Sequence, residues 1–101
     1  MNQANRDHLR RMLQESAEHF GIRAQLIKTL EELGECSAAV ARVVHDDSSR
    51  TLKANLVSEM ADVHNMLDQI EFLMGLQNEV EVERYGKMRR TLERIRTKEQ
   101  S

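Results

Sequence analysis

Proline is absent from this 101-residue chain, and glycine occurs only four times. Because these two residues interrupt helices most strongly, their scarcity favours long, continuous helices. Aromatic residues are also rare, with two Phe, one Tyr and no Trp. The core must therefore be built from Leu, Ile, Val, Met and Ala, and we expect a single all-α domain over residues 1–101.

Cysteine and long apolar runs are nearly missing as well. The single cysteine, Cys36, excludes an intrachain disulfide, and we expect it to be a packing residue. The polar N-terminus does not resemble a signal peptide, and no apolar run approaches the roughly 18 residues that a membrane span requires. These absences predict a cytoplasmic protein with no membrane partner.

Charge is distributed unevenly along the chain. Residues 31–83 contain twelve Asp and Glu against three Lys and Arg, whereas residues 84–101 contain seven Lys and Arg against two Glu. An acidic middle and a basic C-terminal stretch predict either two functions or a tail that docks on an acidic neighbour. We do not expect nucleic-acid binding, because the protein is slightly acidic overall and has almost no aromatic residues to stack on bases.

The spacing of the apolar residues predicts four helices. They are expected over residues 5–19, 22–45, 51–74 and about 78–98. Several residues typical of helix ends support these limits. They are Gly21 and Gly75 as C-terminal signals, Ser48 or Ser49 as the cap of the third helix, and Asn78 as the cap of the fourth with Glu81 as its capping-box partner.

The two middle helices are joined by the short polar turn 46–49 and should form an antiparallel hairpin. An apolar stripe centred on Leu30 marks the expected core face of the second helix. On the last helix we expect Met88, Leu92 and Ile95 to pack against the rest of the fold.

Four carboxylates occupy matching positions on the two middle helices. Glu32 and Glu35 are three residues apart on one helix, and Glu59 and Asp62 are three apart on the other. Each pair therefore lies on neighbouring turns of one helix face. Both pairs are about twelve residues from a turn near Asp47, which places them at one level in an antiparallel hairpin. Because four carboxylates at one level repel each other, this arrangement predicts a cation between them, and oxygen ligands suit Mg²⁺ or Mn²⁺.

Helical spacing also predicts that Glu32 and Glu35 lie on the opposite face from Leu30. In an isolated hairpin they would face solvent, so a further helix of this chain or a second subunit would have to cover them. The simpler interpretation is that such acidic pairs are solvated. Other pairs with the same spacing, to which we assign no function, are Glu15 with Glu18 and Asp68 with Glu71.

The pattern Glu31-Glu32-x-x-Glu35, followed by Glu59-x-x-Asp62, resembles the signature of the all-α nucleoside triphosphate pyrophosphohydrolases, the MazG-like and dimeric dUTPase-like superfamily. The segments 28–35 and 58–69 resemble the two motif helices of that family, and 87–95 resembles the closing helix of its short, phage-type members. The likeness covers most of residues 20–96. It implies a four-helix MazG-like fold built on the antiparallel hairpin and completed by oligomerisation into a homodimer or tetramer.

The resemblance also implies an activity. Members of the family hydrolyse nucleoside triphosphates to a nucleoside monophosphate and pyrophosphate, with Mg²⁺ or Mn²⁺ as cofactor, and so remove unwanted nucleotides from the pool. Carried over by motif position, Glu32, Glu35, Glu59 and Asp62 would be metal ligands. Glu31 would orient or deprotonate the attacking water, and would be the catalytic residue.

The basic residues of the last helix leave two interpretations open. Lys87, Arg90 and Arg94 fall with Lys98 within an arc of roughly 80°. They could contact substrate phosphates, or they could solvate the helix and pair with the acidic hairpin. The alternative function for the whole chain is a non-catalytic helical assembly module whose acidic hairpin binds a basic helix. It explains the charge asymmetry, but not the equal distances of the acidic pairs from the turn.

Overall fold

The computed structural model describes residues 1–100, the side chain of Gln100 excepted, and Ser101 of the predicted domain lies outside the described residues. Over this range the chain forms three α-helices and no strand, which confirms the all-α prediction. They are α1 (Gln3–His45), α2 (Arg50–Met74) and α3 (Gln77–Gln100). None of these helices has a stretch long and apolar enough to span a lipid bilayer.

The first two of the four predicted helices meet at a kink at Gly21, where the backbone is not helical, and we treat them as two arms of α1. Gly21 has φ 83° and ψ 168°, a conformation that glycine tolerates because it has no Cβ. The kink separates an N-terminal arm (residues 3–20) from a C-terminal arm (residues 22–45). The N-terminal arm lies beside the C-terminal half of α2, where Leu9, Leu13 and Phe72 line a shared cleft.

The ends of α2 follow the predicted signals. The side chain of Ser49 caps the N-terminus, and its Oγ accepts a hydrogen bond from the Leu52 N–H at 3.2 Å. Gly75 ends the helix in the left-handed conformation with φ 65°. The Leu76 N–H then donates to the carbonyl oxygen of Glu71 at 2.9 Å, as in a Schellman motif.

The predicted cap of the last helix is wrong. Helix α3 begins at Gln77, so Asn78 lies inside the first turn and cannot cap it. The N–H of Val80 donates to the Leu76 carbonyl oxygen at 3.0 Å. The helix begins early because only Gly75 and Leu76 separate α3 from the end of α2.

The C-terminal arm of α1 packs against α2 as the predicted antiparallel hairpin. Near the turn, Arg42 Nη1 donates to Asn55 Oδ1 at 3.4 Å. At the far end, Gln25 Nε2 donates to Gln69 Oε1 at 2.7 Å. These two bonds fix the register of the helices and place residues near 32 opposite residues near 60.

The face of α1 that meets α2 is not the face expected. Its buried residues in the C-terminal arm are Gln25, Thr29, Glu32 and Ala39, and those of α2 are Met66 and Gln69. Glu32 retains 6% exposure, whereas Leu30 is 73% exposed. The prediction that the Leu30 face forms the hairpin core, with Glu32 turned to solvent, is therefore wrong. The helix is rotated so that Glu32 faces α2.

The exposed apolar residues of both hairpin helices lie together on one side. They are Leu26, Leu30, Leu33, Val40 and Val44 on α1, with Met60, Leu67 and Met74 on α2. Each set is rotated by about 100° from the buried face of its own helix. Because the helices are antiparallel, these rotations point to the same side of the hairpin, which we call the apolar side.

Helix α3 stands apart from most of the fold. Within residues 1–100 it contacts α2 but not α1. Met88, Leu92 and Ile95 are all exposed, so their predicted packing is wrong within a single chain. The tight turn at Gly75 directs α3 away from the hairpin, and its apolar residues are left without a partner among the described residues.

Candidate metal centre

Three of the predicted ligands converge between α1 and α2. Glu32, Glu59 and Asp62 each place one carboxylate oxygen within 4.8 Å of the others. Glu32 comes from α1, while Glu59 and Asp62 come from neighbouring turns of α2. Glu32 is buried, Glu59 is half-buried and Asp62 is exposed, so the group opens to solvent at Asp62. We call these three residues the carboxylate cluster.

Two oxygens of the carboxylate cluster are buried without a partner. Among the described residues, Oε2 of Glu32 and Oε2 of Glu59 make no hydrogen bond. An unpaired buried carboxylate oxygen is costly, and such groups are rare in folded proteins without a specific reason. A divalent cation between them would satisfy both atoms, and an all-carboxylate set of hard oxygen donors fits Mg²⁺ or Mn²⁺.

Lys28 supplies a positive charge at the edge of the carboxylate cluster. Its Nζ lies 3.2 Å from Glu32 Oε1 and 3.5 Å from Glu31 Oε2. The hydrogen bond to Glu32, followed by the charges of Glu31 and Glu32, raises the pKa of Lys28. Lys28 therefore neutralises Oε1 of Glu32, and the buried Oε2 is left without a partner among the described residues.

Glu35 lies beside the carboxylate cluster and is exposed, and its oxygens are not among those that converge. Repulsion by Glu32 is the main cause that raises the pKa of Glu35, followed by partial loss of hydration and the charges of Glu59 and Glu31. Glu35 is thus under the electrostatic influence of Glu32 and Glu59, although only three of the four predicted ligands come together in this structure.

The remaining predicted site residues lie outside the carboxylate cluster. The side chain of Glu31 is 57% exposed and pairs with Lys28. Lys87, Arg90 and Arg94 are on α3, which does not contact α1 within residues 1–100. The structure of a single chain therefore does not bring these three cations to the carboxylates.

Two features of the site were missed from sequence. Lys28 precedes Glu32 by four residues, the spacing of an ion pair on one helix face, and this signal was available. The buried amide pair Gln25 and Gln69 could not be found in this way, because its formation depends on how the two helices are rotated.

Comparison of the chain with protein-family models, curated proteins and solved structures gives no match. The residues themselves define an all-α protein with a partly buried carboxylate cluster between two antiparallel helices. The chemistry available to it is that of a cation held by carboxylate oxygens, with a lysine and a further glutamate at the edge.

Proposed function

We propose that this protein is a Mg²⁺-dependent nucleoside triphosphate pyrophosphohydrolase, acting on the cytoplasmic nucleotide pool as its resemblance to MazG-like proteins implies. The observation that carries the proposal is the convergence of Glu32, Glu59 and Asp62, with two of their oxygens buried and unpaired. A cluster of solvated surface carboxylates would leave neither oxygen in that state.

The metal-holding residues are the carboxylate cluster, with Glu35 completing the set. When bound, a divalent cation supplies positive charge for the phosphate oxygens and for the reacting water. Glu35 would be stabilised in its charged form by such a cation, because repulsion by its acidic neighbours raises its pKa. Its exposed position leaves its side chain free to turn towards the cluster.

Glu31 acts on the attacking water. Its carboxylate is exposed and held beside the carboxylate cluster by the ion pair with Lys28. It accepts the proton as the water oxygen forms a bond to the α-phosphorus and the bond from that phosphorus to the bridging oxygen breaks. The products are a nucleoside monophosphate and pyrophosphate.

Self-association belongs to the same proposal. The apolar side of the hairpin is a contiguous exposed surface, and such surfaces on soluble proteins mark interaction sites. A second copy presents the same surface, so a two-fold symmetric contact buries both at once. We therefore propose a homodimer, or a tetramer of two dimers, in which the apolar sides face each other.

The test is a panel of nucleoside triphosphates incubated with Mg²⁺ and assayed for pyrophosphate against orthophosphate. We expect pyrophosphate, loss of its release in Asp62→Asn, and a Mg²⁺-dependent rise in melting temperature that this variant lacks. Asp68→Asn is the matched control, since Asp68 is an exposed carboxylate on the same helix outside the carboxylate cluster. Orthophosphate as the product, or an unchanged Asp62→Asn, would count against the proposal.

A helical assembly module is the second candidate. It is favoured by the exposed apolar residues Met88, Leu92 and Ile95 of α3, a helix with a net positive charge, in a chain whose hairpin is acidic. If the chain self-associates but releases no pyrophosphate from any nucleotide, and Mg²⁺ leaves its melting temperature unchanged, this function replaces the first.

A further inference from the structure

A cleft of about 400 Å³ lies beside the carboxylate cluster. Its walls come from both arms of α1 and from α2, so it exists because α1 bends at Gly21. The lining residues that matter here are Phe20, Ala24, Gln25, Lys28, Met66 and Gln69. We call it the amide cleft, after its two glutamines.

Lys28 connects the amide cleft to the carboxylate cluster. It lines the cleft, and its Nζ lies 3.2 Å from Glu32 Oε1. Gln25, a buried residue of the cleft lining, is seven residues from Glu32, about 10 Å along the same face of α1. A single elongated ligand can therefore have one end in the cleft and the other at the carboxylates.

The lining of the amide cleft combines an aromatic ring with a hydrogen-bond acceptor on a buried residue. Phe20 is 58% exposed, and the ring of His19 packs edge-on against it with centroids 4.7 Å apart. Gln25 is buried and uses its Nε2 to donate to Gln69. Its Oε1 accepts no hydrogen bond from the described residues, so this oxygen is available to a ligand N–H.

The amide of Gln25 is held in a fixed orientation. Gln69 accepts from it at 2.7 Å and donates from Nε2 to the backbone carbonyl oxygen of Asn65 at 3.1 Å. This chain of bonds keeps the acceptor in one place, so a ligand meets it without reorganisation. A flat heterocycle with an N–H on its edge matches both the ring of Phe20 and the oxygen of Gln25.

We propose that the amide cleft binds the nucleobase of the nucleoside triphosphate, stacked on Phe20 and hydrogen-bonded to Gln25, with its phosphates passing Lys28 to reach the carboxylate cluster. This inference rests on the proposed function and adds the part of the substrate that is recognised. Base preference is then set by the edge that each base presents to Gln25.

The experiment compares nucleotides with a ligand that lacks a base. Inorganic tripolyphosphate with Mg²⁺ can occupy the carboxylate cluster but cannot use the amide cleft. We expect Phe20→Ala to lower kcat/KM for nucleoside triphosphates about tenfold or more, while the inhibition constant of tripolyphosphate stays unchanged. Phe20→Tyr should behave as the parent, because it keeps the ring.

Two further variants sharpen the result. Ala24→Leu fills the amide cleft from α1 and should weaken nucleotides but not tripolyphosphate. Met12→Ala removes another exposed apolar side chain of the N-terminal arm, outside the cleft, and should change neither.

The outcomes distinguish failure of the base-binding inference from failure of the proposed function. If nucleotides are hydrolysed and Phe20→Ala leaves them unaffected, the base binds elsewhere and the amide cleft is not its site. Equal weakening of tripolyphosphate and nucleotides in both cleft variants also overturns the inference, because the effect then acts on the carboxylate cluster. If the parent binds neither ligand, the proposed function fails and the cleft assignment fails with it.

Discussion

The C-terminal arm of α1 presents two contrasting faces. The face towards α2 buries Gln25, Thr29 and Glu32, while the neighbouring face leaves Leu26 and Leu30 exposed. Burying polar groups and exposing apolar ones are both unfavourable for an isolated domain. Both faces are explained if the buried polar face binds a ligand and the exposed apolar face is covered by another copy of the chain.

The free energy of burying the apolar side favours this explanation over a poorly packed monomer. Fully burying one exposed Leu, Val or Met contributes roughly 1.5–3 kcal/mol. The eight residues of the apolar side are already about half buried in a single chain, so together they give about 6–12 kcal/mol, from which the cost of association is subtracted. The unpaired oxygens of Glu32 and Glu59 add a cost that a bound cation would remove. The proposed ligand and partner would together account for both faces.

The largest effect should come from breaking the buried face at its centre. We expect Glu32→Gln to lower the rate of pyrophosphate release about 100-fold or more, because it removes the most buried ligand. Without metal the variant should fold and melt no lower than the parent, since carboxylate repulsion is relieved. Steady-state assays and thermal melts measure both, with the exposed Glu18→Gln as control. A catalytically normal Glu32→Gln would contradict the metal centre.

A smaller effect should follow from breaking the exposed face. Leu30→Glu places a charge on the apolar side and should weaken self-association by about 2–4 kcal/mol, or roughly 30- to 1,000-fold. Val82→Glu is the matched control, because Val82 is also an exposed apolar residue but lies on α3, outside the hairpin. Sedimentation at several protein concentrations measures the difference. Equal behaviour of the two variants would show that the apolar side is not the interface.

The contrast between these faces also shows which parts of the structure could be predicted from the sequence. The level of the carboxylates was predicted correctly, because height along a helix depends only on the rise per residue and the position of the turn. The rotation of α1 was not, because periodicity identifies an apolar face without saying what covers it. The apolar stripe centred on Leu30 was predicted to pack against α2, whereas in the structure Glu32 lies on the face of α1 that meets α2.

Other parts of the site depend on geometry that local patterns do not contain. Gly21 interrupts the helical backbone as expected, but the bend that it gives α1, which creates the amide cleft, was not predicted. The position of α3 follows from the turn at Gly75, so the proximity of Arg90 or Arg94 to the carboxylates could not be judged from charge alone. Lys28 was the exception, since its spacing to Glu32 is local.

The smallest effect should come from Glu35, at the boundary between the buried face and solvent. Its raised pKa means that the folded state binds this proton more tightly than the unfolded chain does. That stabilisation is fully present below the ordinary value of 4.5 and is lost as pH rises through the higher pKa of the folded protein. Without divalent cations, the parent should therefore lose stability over this acidic range.

Glu35→Gln removes the titrating group, so comparing its melting temperature with that of the parent isolates the contribution of this carboxylate. In metal-free buffer near pH 7 we expect it to melt slightly above the parent, because repulsion by Glu32 and Glu59 is gone. Near pH 4 the parent carries a proton at this position and the two should coincide. With Mg²⁺ added near pH 7, the parent should melt above Glu35→Gln, since only the parent has the additional carboxylate. Glu18→Gln, far from the carboxylate cluster, should follow the parent throughout. If Glu35→Gln melts below the parent in metal-free buffer near pH 7, Glu35 is not under the repulsion inferred here, and the carboxylate cluster does not extend to it.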